Sequence, residues 1–221
     1  DLGGGDTIHD VVAVSNAMKE IGKATDLTGT ELQKARKLIG TTTQVLRLMT
    51  IEEIDSAEAS KAIIKTLNNF NLTLSEAARI TSTMINVNQS SAITLDELTK
   101  SFGFASANAV KMGLSVEQLG GILGVLGNRL GQGGGAAGRN LRMLFVGLEK
   151  QALKTNPILE EMGIVFLDGQ KNLLPFVDIL KSVRNGFKTA GQSSDAFRLF
   201  LEQQLGLEVR AADALNKLVQ A

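Results

Sequence analysis

A hydroxyl residue followed three positions later by a carboxylate or amide, just ahead of an apolar-periodic run, recurs five times in this chain. The pairs are Thr28 with Glu31, Thr50 with Glu53, Thr73 with Glu76, Thr94 with Glu97, and Ser115 with Gln118. At a helix start the hydroxyl accepts from the N–H three residues on, while that residue's side chain reaches back to the first N–H. Two amides that the helix itself cannot pair are satisfied in this way. A chain that repeats the signal so often predicts an array of several helices.

Apolar spacing agrees. Val11, Val12, Val14, Ala17, Met18 and Ile21 share one helical face, and Ala77, Ile80, Met84, Ile85 and Val87 share another. The pattern predicts helices over 7–23, 30–49, 51–69, 73–87, 94–112, 115–129, 136–154, 175–189, 193–204 and 207–220. Short connections between them imply antiparallel or steeply crossed neighbours. Aromatics are only 4% of the chain, with nine Phe and no Trp or Tyr, so Leu, Ile, Val, Ala and Met must build the core. Leu, Ala and Met are among the cheapest residues to place in a helix.

One stretch breaks the helical pattern. Residues 163–174 carry a β-branched and aromatic run, then Asp168-Gly169, then the apolar pair Leu173-Leu174. Asp-Gly between such runs is a hairpin signal, because both turn positions tolerate positive φ. The expectation is an all-α fold with one small β-hairpin near 164–174.

Lys plus Arg and Asp plus Glu are 23 each, so the chain has no basic excess of the kind that phosphate neutralisation demands. The absence of cysteine excludes disulfides and thiolate metal sites. The longest apolar stretch, Leu119 to Leu126, falls far short of the roughly 20 residues of a spanning helix. The chain opens Asp1-Leu2-Gly3-Gly4-Gly5 without an initiator Met or a signal peptide, so it is expected to be cut from something longer. Leu27, Leu72 and Leu114 open similar helix starts, which generic capping chemistry explains better than a true repeat.

From about Ser56 onward the sequence carries an ordered set of segments. Leu67-Asn-Asn-Phe-Asn-Leu-Thr-Leu-Ser-Glu-Ala-Ala-Arg-Ile80 comes first, then Ser91 to Phe102, then Ala107 to Leu119. A glycine segment with Ala137-Gly-Arg-Asn-Leu-Arg-Met-Leu144 follows, then Met162-Gly-Ile-Val-Phe-Leu-Asp-Gly169, Leu173 to Leu180, and Phe200 to Val209. In that order the set resembles the core domain of phage tail tape measure proteins. The resemblance covers roughly three quarters of the chain; residues 1–50 match it poorly, and the Gly131–Gly138 loop is richer in glycine than the family. It implies two parts, an N-terminal helical stretch over 1–50 and a tape-measure-like helical core over 51–221.

Several motifs invite sharper readings. Gly133-Gly-Gly135-Ala-Ala-Gly138 fits the dinucleotide pattern, yet the residues before it, Val125 to Leu130, read as a helix end where that pattern needs a strand. The P-loop spacing also fails, since Arg139 and Asn140 stand where Lys and a hydroxyl are required. Gly120, Gly121, Gly124, Gly127 and Gly131, with Gly133, Gly134, Gly135 and Gly138, instead mark a candidate flexible or remodelling segment. Each helical Gly costs about 1 kcal/mol relative to Ala. The spacing of Gly120, Gly124, Gly127 and Gly131 also admits close approach of a neighbouring backbone, in a membrane-active hairpin or within the domain itself.

His9 is the only histidine, so no His-based metal site can form, and it reads as a surface residue. Glu52-Glu53 and Glu160-Glu161 raise glycosidase chemistry, but solvated helix faces explain them better. Arg129, Arg139 and Arg142, with Lys150 and Lys154, gather positive charge that can contact a partner or DNA, or pair with Glu149, Glu160 and Glu161.

The resemblance implies a structural, non-enzymatic segment of the protein that sets tail length during assembly and leaves ahead of the DNA at infection. Expected partners are tail tube or tail-tip proteins and further copies of the chain, with weak DNA contact and membrane contact on ejection. No cofactor, metal, catalytic residue or small-molecule substrate is expected. The location implied is the virion, inside the tail or at its tip. Two rivals are a membrane-active segment that breaches the host envelope and a cell-wall glycan hydrolase.

Overall fold

Every capping signal among the described residues starts a helical element. The computed structural model describes residues 56–130, 135–152, 156–191 and 193–221, together with Gly40, Gln44, Ile54 and Lys154. The signals at Thr28 and Thr50, the expected helix 7–23, His9, and the expected helix 30–49 apart from Gly40 and Gln44 lie outside them. In the other three signals the helix-starting N–H of Thr73, Thr94 and Ser115 donates to Glu76, Glu97 and Gln118 at 3.1, 3.1 and 2.9 Å. The return bonds to the Thr94 and Ser115 hydroxyls are 3.2 Å each.

The elements are α1 (Ser56–Asn69), a 3-10 turn (Leu74–Glu76), α2 (Ala77–Ser90), α3 (Leu95–Lys111), α4 (Val116–Leu130) and α5 (Ala136–Ala152). After them come α6 (Pro157–Glu161), α7 (Phe176–Ala190), α8 (Ser194–Leu205) and α9 (Val209–Val219). The fold is all-α. Thr73 opens the 3-10 turn, and α2 begins only at Ala77, so the expected helix at 73–87 is a short turn continued by an α-helix. The helix α6 was not foreseen. Asn156 caps it by accepting from the Ile158 N–H at 3.1 Å, and Pro157 sits at its first position, where a missing N–H is harmless.

Two helices hold the centre. α3 packs on α1, α2, α4 and α5, while α5 packs on α3, α4, α8 and α9. Large residues Leu95, Leu98 and Phe102 of α3 are buried beside small ones, Ser101, Ala105, Ser106 and Ala109. At Gly138 the two central helices meet backbone to backbone. A Cβ there would fall on the Cα and carbonyl of Ser101, and the Gly138 N–H donates to Ser101 Oγ at 3.2 Å.

The last helix completes the core. α9 rests on α4, α5, α7 and α8, burying Ala211, Ala212, Ala214, Leu215, Leu218 and Val219. Its buried Asn216 donates to the carbonyl and hydroxyl of Ser194 at 3.2 and 3.0 Å, which fixes it to the start of α8. Phe145 meets Phe176 edge to face at 5.0 Å, and Phe197 lies 4.4 Å from Phe187. Each fully buried Phe is worth about 3–5 kcal/mol against truncation to Ala.

The expected hairpin at 164–174 is not formed; the described residues contain no strand, only an isolated antiparallel bridge between Leu167 and Leu173. The cause is the turn. Asp168 closes it with its side chain, accepting from the N–H groups of Gln170 and Asn172 at 2.8 Å each. Positive φ falls at Lys171 rather than at Asp168 or Gly169, so the turn is longer than the two residues expected. The arms then separate. The Phe166 carbonyl still accepts from the Leu174 N–H at 2.8 Å, but the next inward-facing amides go elsewhere, Phe176 N–H to the Met112 carbonyl at 2.9 Å and Ile164 N–H to the Leu159 carbonyl at 2.8 Å.

Candidate functional site

Arg139, Arg142, Met143, Val146, Gly147 and Lys150 recur at three- and four-residue spacing, which aligns them as one stripe along α5. That stripe faces the turn between α8 and α9. Gly206 ends α8 in the left-handed region at φ 54°, and Glu208 resumes extended backbone before α9. Between them Leu207 is driven inward over Gly147, where no Cβ stands in the way of its Cδ2. The result is a groove of about 410 Å³ between the α5 stripe and residues 206–208, continuing past Met143 to Val209 and Arg210.

Its walls mix cations and apolar side chains. Arg139, Arg142, Lys150 and Arg210 face a single acid, Glu208. Arg139 stacks over the Phe104 ring at 5.3 Å, a cation–π contact. Arg142, Lys150 and Arg210 make no ion pair among the described residues, and the pairings with Glu149, Glu160 and Glu161 weighed from sequence are not made by them. Val209 is 60% exposed at the groove end.

Of the three arginines singled out from sequence, the structure brings Arg139 and Arg142 together and sends Arg129 elsewhere. Arg129 donates to the carbonyl of Gln220 at 3.3 Å, where a cation favours the negative end of α9. The wall from residues 206–210 carries no motif. Its one sequence signal is the Leu205-Gly206-Leu207 turn between two apolar runs.

The glycines of α4 form a second feature. A Cβ at Gly120 would come 2.8 Å from Thr83 Cγ2, one at Gly124 2.9 Å from Val87 Cγ1, and one at Gly127 2.6 Å from Ile93 Cβ. The glycine face is therefore filled by α2 and the residue that leads into α3. Gly121 points the other way, with nothing within 4 Å. Gly131, Gly133 and Gly134 lie outside the described residues. Gly135 has φ +76° and brings its backbone against Lys100 and the Phe104 ring.

Between Arg79 and Glu117 an ion pair locks α2 to α4, with Nη2 to Oε2 at 2.9 Å. The Arg79 hydrogen bond holds the Glu117 carboxyl down at about 2. The N–H of Gly138 is committed to Ser101, and the element before the glycine segment is the helix α4, where the dinucleotide pattern needs a strand. Glu160 lines a shallow hollow of about 220 Å³ with Lys154, Asn156 and Phe166, and no second carboxylate lines it. Glu52 and Glu53 lie outside the described residues. No described helix is long and apolar enough to cross a membrane.

These features define an all-helical domain that carries a mixed basic and apolar groove among its described residues. The chain belongs to the phage-related minor tail protein family, whose model matches residues 3–200. The match takes in residues 3–50 and ends inside α8, so α9 lies beyond it although it completes the core. No curated protein and no solved structure matches the chain. A phage tail family implies a virion-associated protein.

Proposed function

We propose that the chain is a folded, non-enzymatic segment of a tail tape measure protein, acting in tail assembly and length determination and leaving the tail ahead of the genome. The observation that carries this reading is the order of its segments. From Leu67 to Val209 they follow the tape-measure resemblance, within a chain that belongs to a phage tail family. Residues 51–221 act as the core and residues 1–50 as a leading stretch. In the virion the segment sits inside the tail or at its tip, among tail tube or tail-tip proteins.

Tail length tests the reading directly. An added helix of about 20 residues spans about 30 Å. Inserting such a run ahead of Ile54 in the parent protein lengthens the assembled tails by a similar amount in electron micrographs. Tails of unchanged length would return the chain to a tail component with no measuring role.

A further inference from the structure

The short helix α6 and the residues after it, 157–167, carry Glu160 and Glu161 and no cation, with Lys154 at their edge, and give the chain a second surface of acidic excess. Ile158 is 44% exposed and Val165 49% exposed, with Glu160 and Glu161 exposed beside them. Neither glutamate forms an ion pair among the described residues. This acidic and apolar knob is firmly held. Asn156 Nδ2 donates to the Gln204 carbonyl at 2.9 Å, the Ile164 N–H to the Leu159 carbonyl at 2.8 Å, and Ser182 Oγ to the Gly163 carbonyl at 3.0 Å. Ile164 and Phe166 are buried beneath it, so the exposed Ile158 and Val165 are held outward by a fixed backbone.

We propose that the groove of one copy of this chain receives the α6 knob of a second copy. Glu160 and Glu161 then face Arg142 and Lys150, while Ile158 and Val165 cover Met143 and Val209. Charge selects the pairing. Groove on groove sets cations against cations and knob on knob sets acids against acids, and only groove on knob pairs both. The apolar component selects a protein over nucleic acid. A duplex neutralises the arginines but brings no side chains to cover Met143 and Val209. The tethers through Asn156 and Ser182 keep α6 against its own chain, so the contact forms between copies. It rests on these two surfaces and stands whether or not the parent is a tape measure.

Sedimentation velocity of the whole 221-residue chain, from micromolar to hundreds of micromolar, tests the pairing. Wild type is expected to self-associate, more weakly as salt rises. Arg142→Glu with Lys150→Glu, or separately Glu160→Lys with Glu161→Lys, is expected to weaken association by about tenfold or more. All four positions are exposed, so thermal unfolding followed by circular dichroism should be unchanged in both variants. An equimolar mixture of the two variants is expected to associate again, because each supplies the charge that the other lost. A wild type that stays monomeric, association that survives either swap, or a mixture that fails to re-associate overturns the proposal. So does a groove that leaves the chain monomeric and binds a duplex oligonucleotide with loss in the Arg142→Glu, Lys150→Glu variant.

Discussion

Replacing Gly138 with alanine sets two effects against each other. Gly138 lies in the first turn of α5, where alanine gains at most about 1 kcal/mol of helix propensity over glycine. Against this, the new Cβ meets the Cα and carbonyl of Ser101, which are backbone atoms and cannot rotate away. Overpacking of this kind costs about 1–3 kcal/mol, and more when backbones must part. Gly138→Ala is therefore expected to lower stability by about 2 kcal/mol in urea unfolding. Gly121→Ala meets nothing and is expected to raise it by about 0.5–1 kcal/mol. Equal effects at the two sites would remove the backbone-contact account. A pH series isolates the Arg79–Glu117 pair. Its folded carboxyl titrates at about 2 against an ordinary 4.5, so the pair stabilises the fold above pH 4.5 and loses its effect as pH falls towards 2. Glu117→Gln should therefore melt below wild type at neutral pH, the gap closing through that window. The close packing at Gly120, Gly124 and Gly127 was readable from their spacing, but the neighbours that supply it were not. Nothing in Gly138 says that Ser101, 37 residues earlier, will arrive against it.

Among the elements, local chemistry was the readable part. Helices α3, α4, α7 and α8 start within a residue of where hydroxyl, Pro or apolar signals put them, because caps act over three or four residues. Thr94→Ala removes one such cap at the head of the central helix. The expected loss is about 1 kcal/mol, seen as a lower urea midpoint with an unchanged slope. A changed slope would instead mean that α3 starts elsewhere in the variant. The hairpin failed for the opposite reason. Its turn residues were right for a turn, but whether the arms go on pairing depends on competitors, and the carbonyls of Met112 and Leu159 take the amides of Phe176 and Ile164. The helix α6 was missed although Asn156-Pro157 is a good start signal, because five residues carry no periodicity to support it.

At the scale of the whole molecule, the sequence made an all-helical array legible and left its assembly hidden. Of the groove, only the positive charge of Arg139, Arg142 and Lys150 was readable in the sequence. The turn at 206–208 faces them only because α9 folds back across α4 and α5, with Arg129 reaching Gln220. Contacts so far apart leave no local trace. Since four helices rest on α9, Leu215→Ala is expected to cost about 2–5 kcal/mol. Circular dichroism in urea should still show one transition. If hydrogen exchange instead finds residues 194–221 opening well before α3 and α5, the closing helix is a separate unit.

That closing helix also sets how the body answers force. Squeezed from outside, the domain presents α5 and α3 in direct backbone contact, with little room to yield. Tension drawn through the residues after Val219 acts quite differently, lifting α9 away one turn at a time and uncovering Leu215 and then Ala211. The same fold is thus stiff under load in a confined space and unlatches from one end when drawn along its chain.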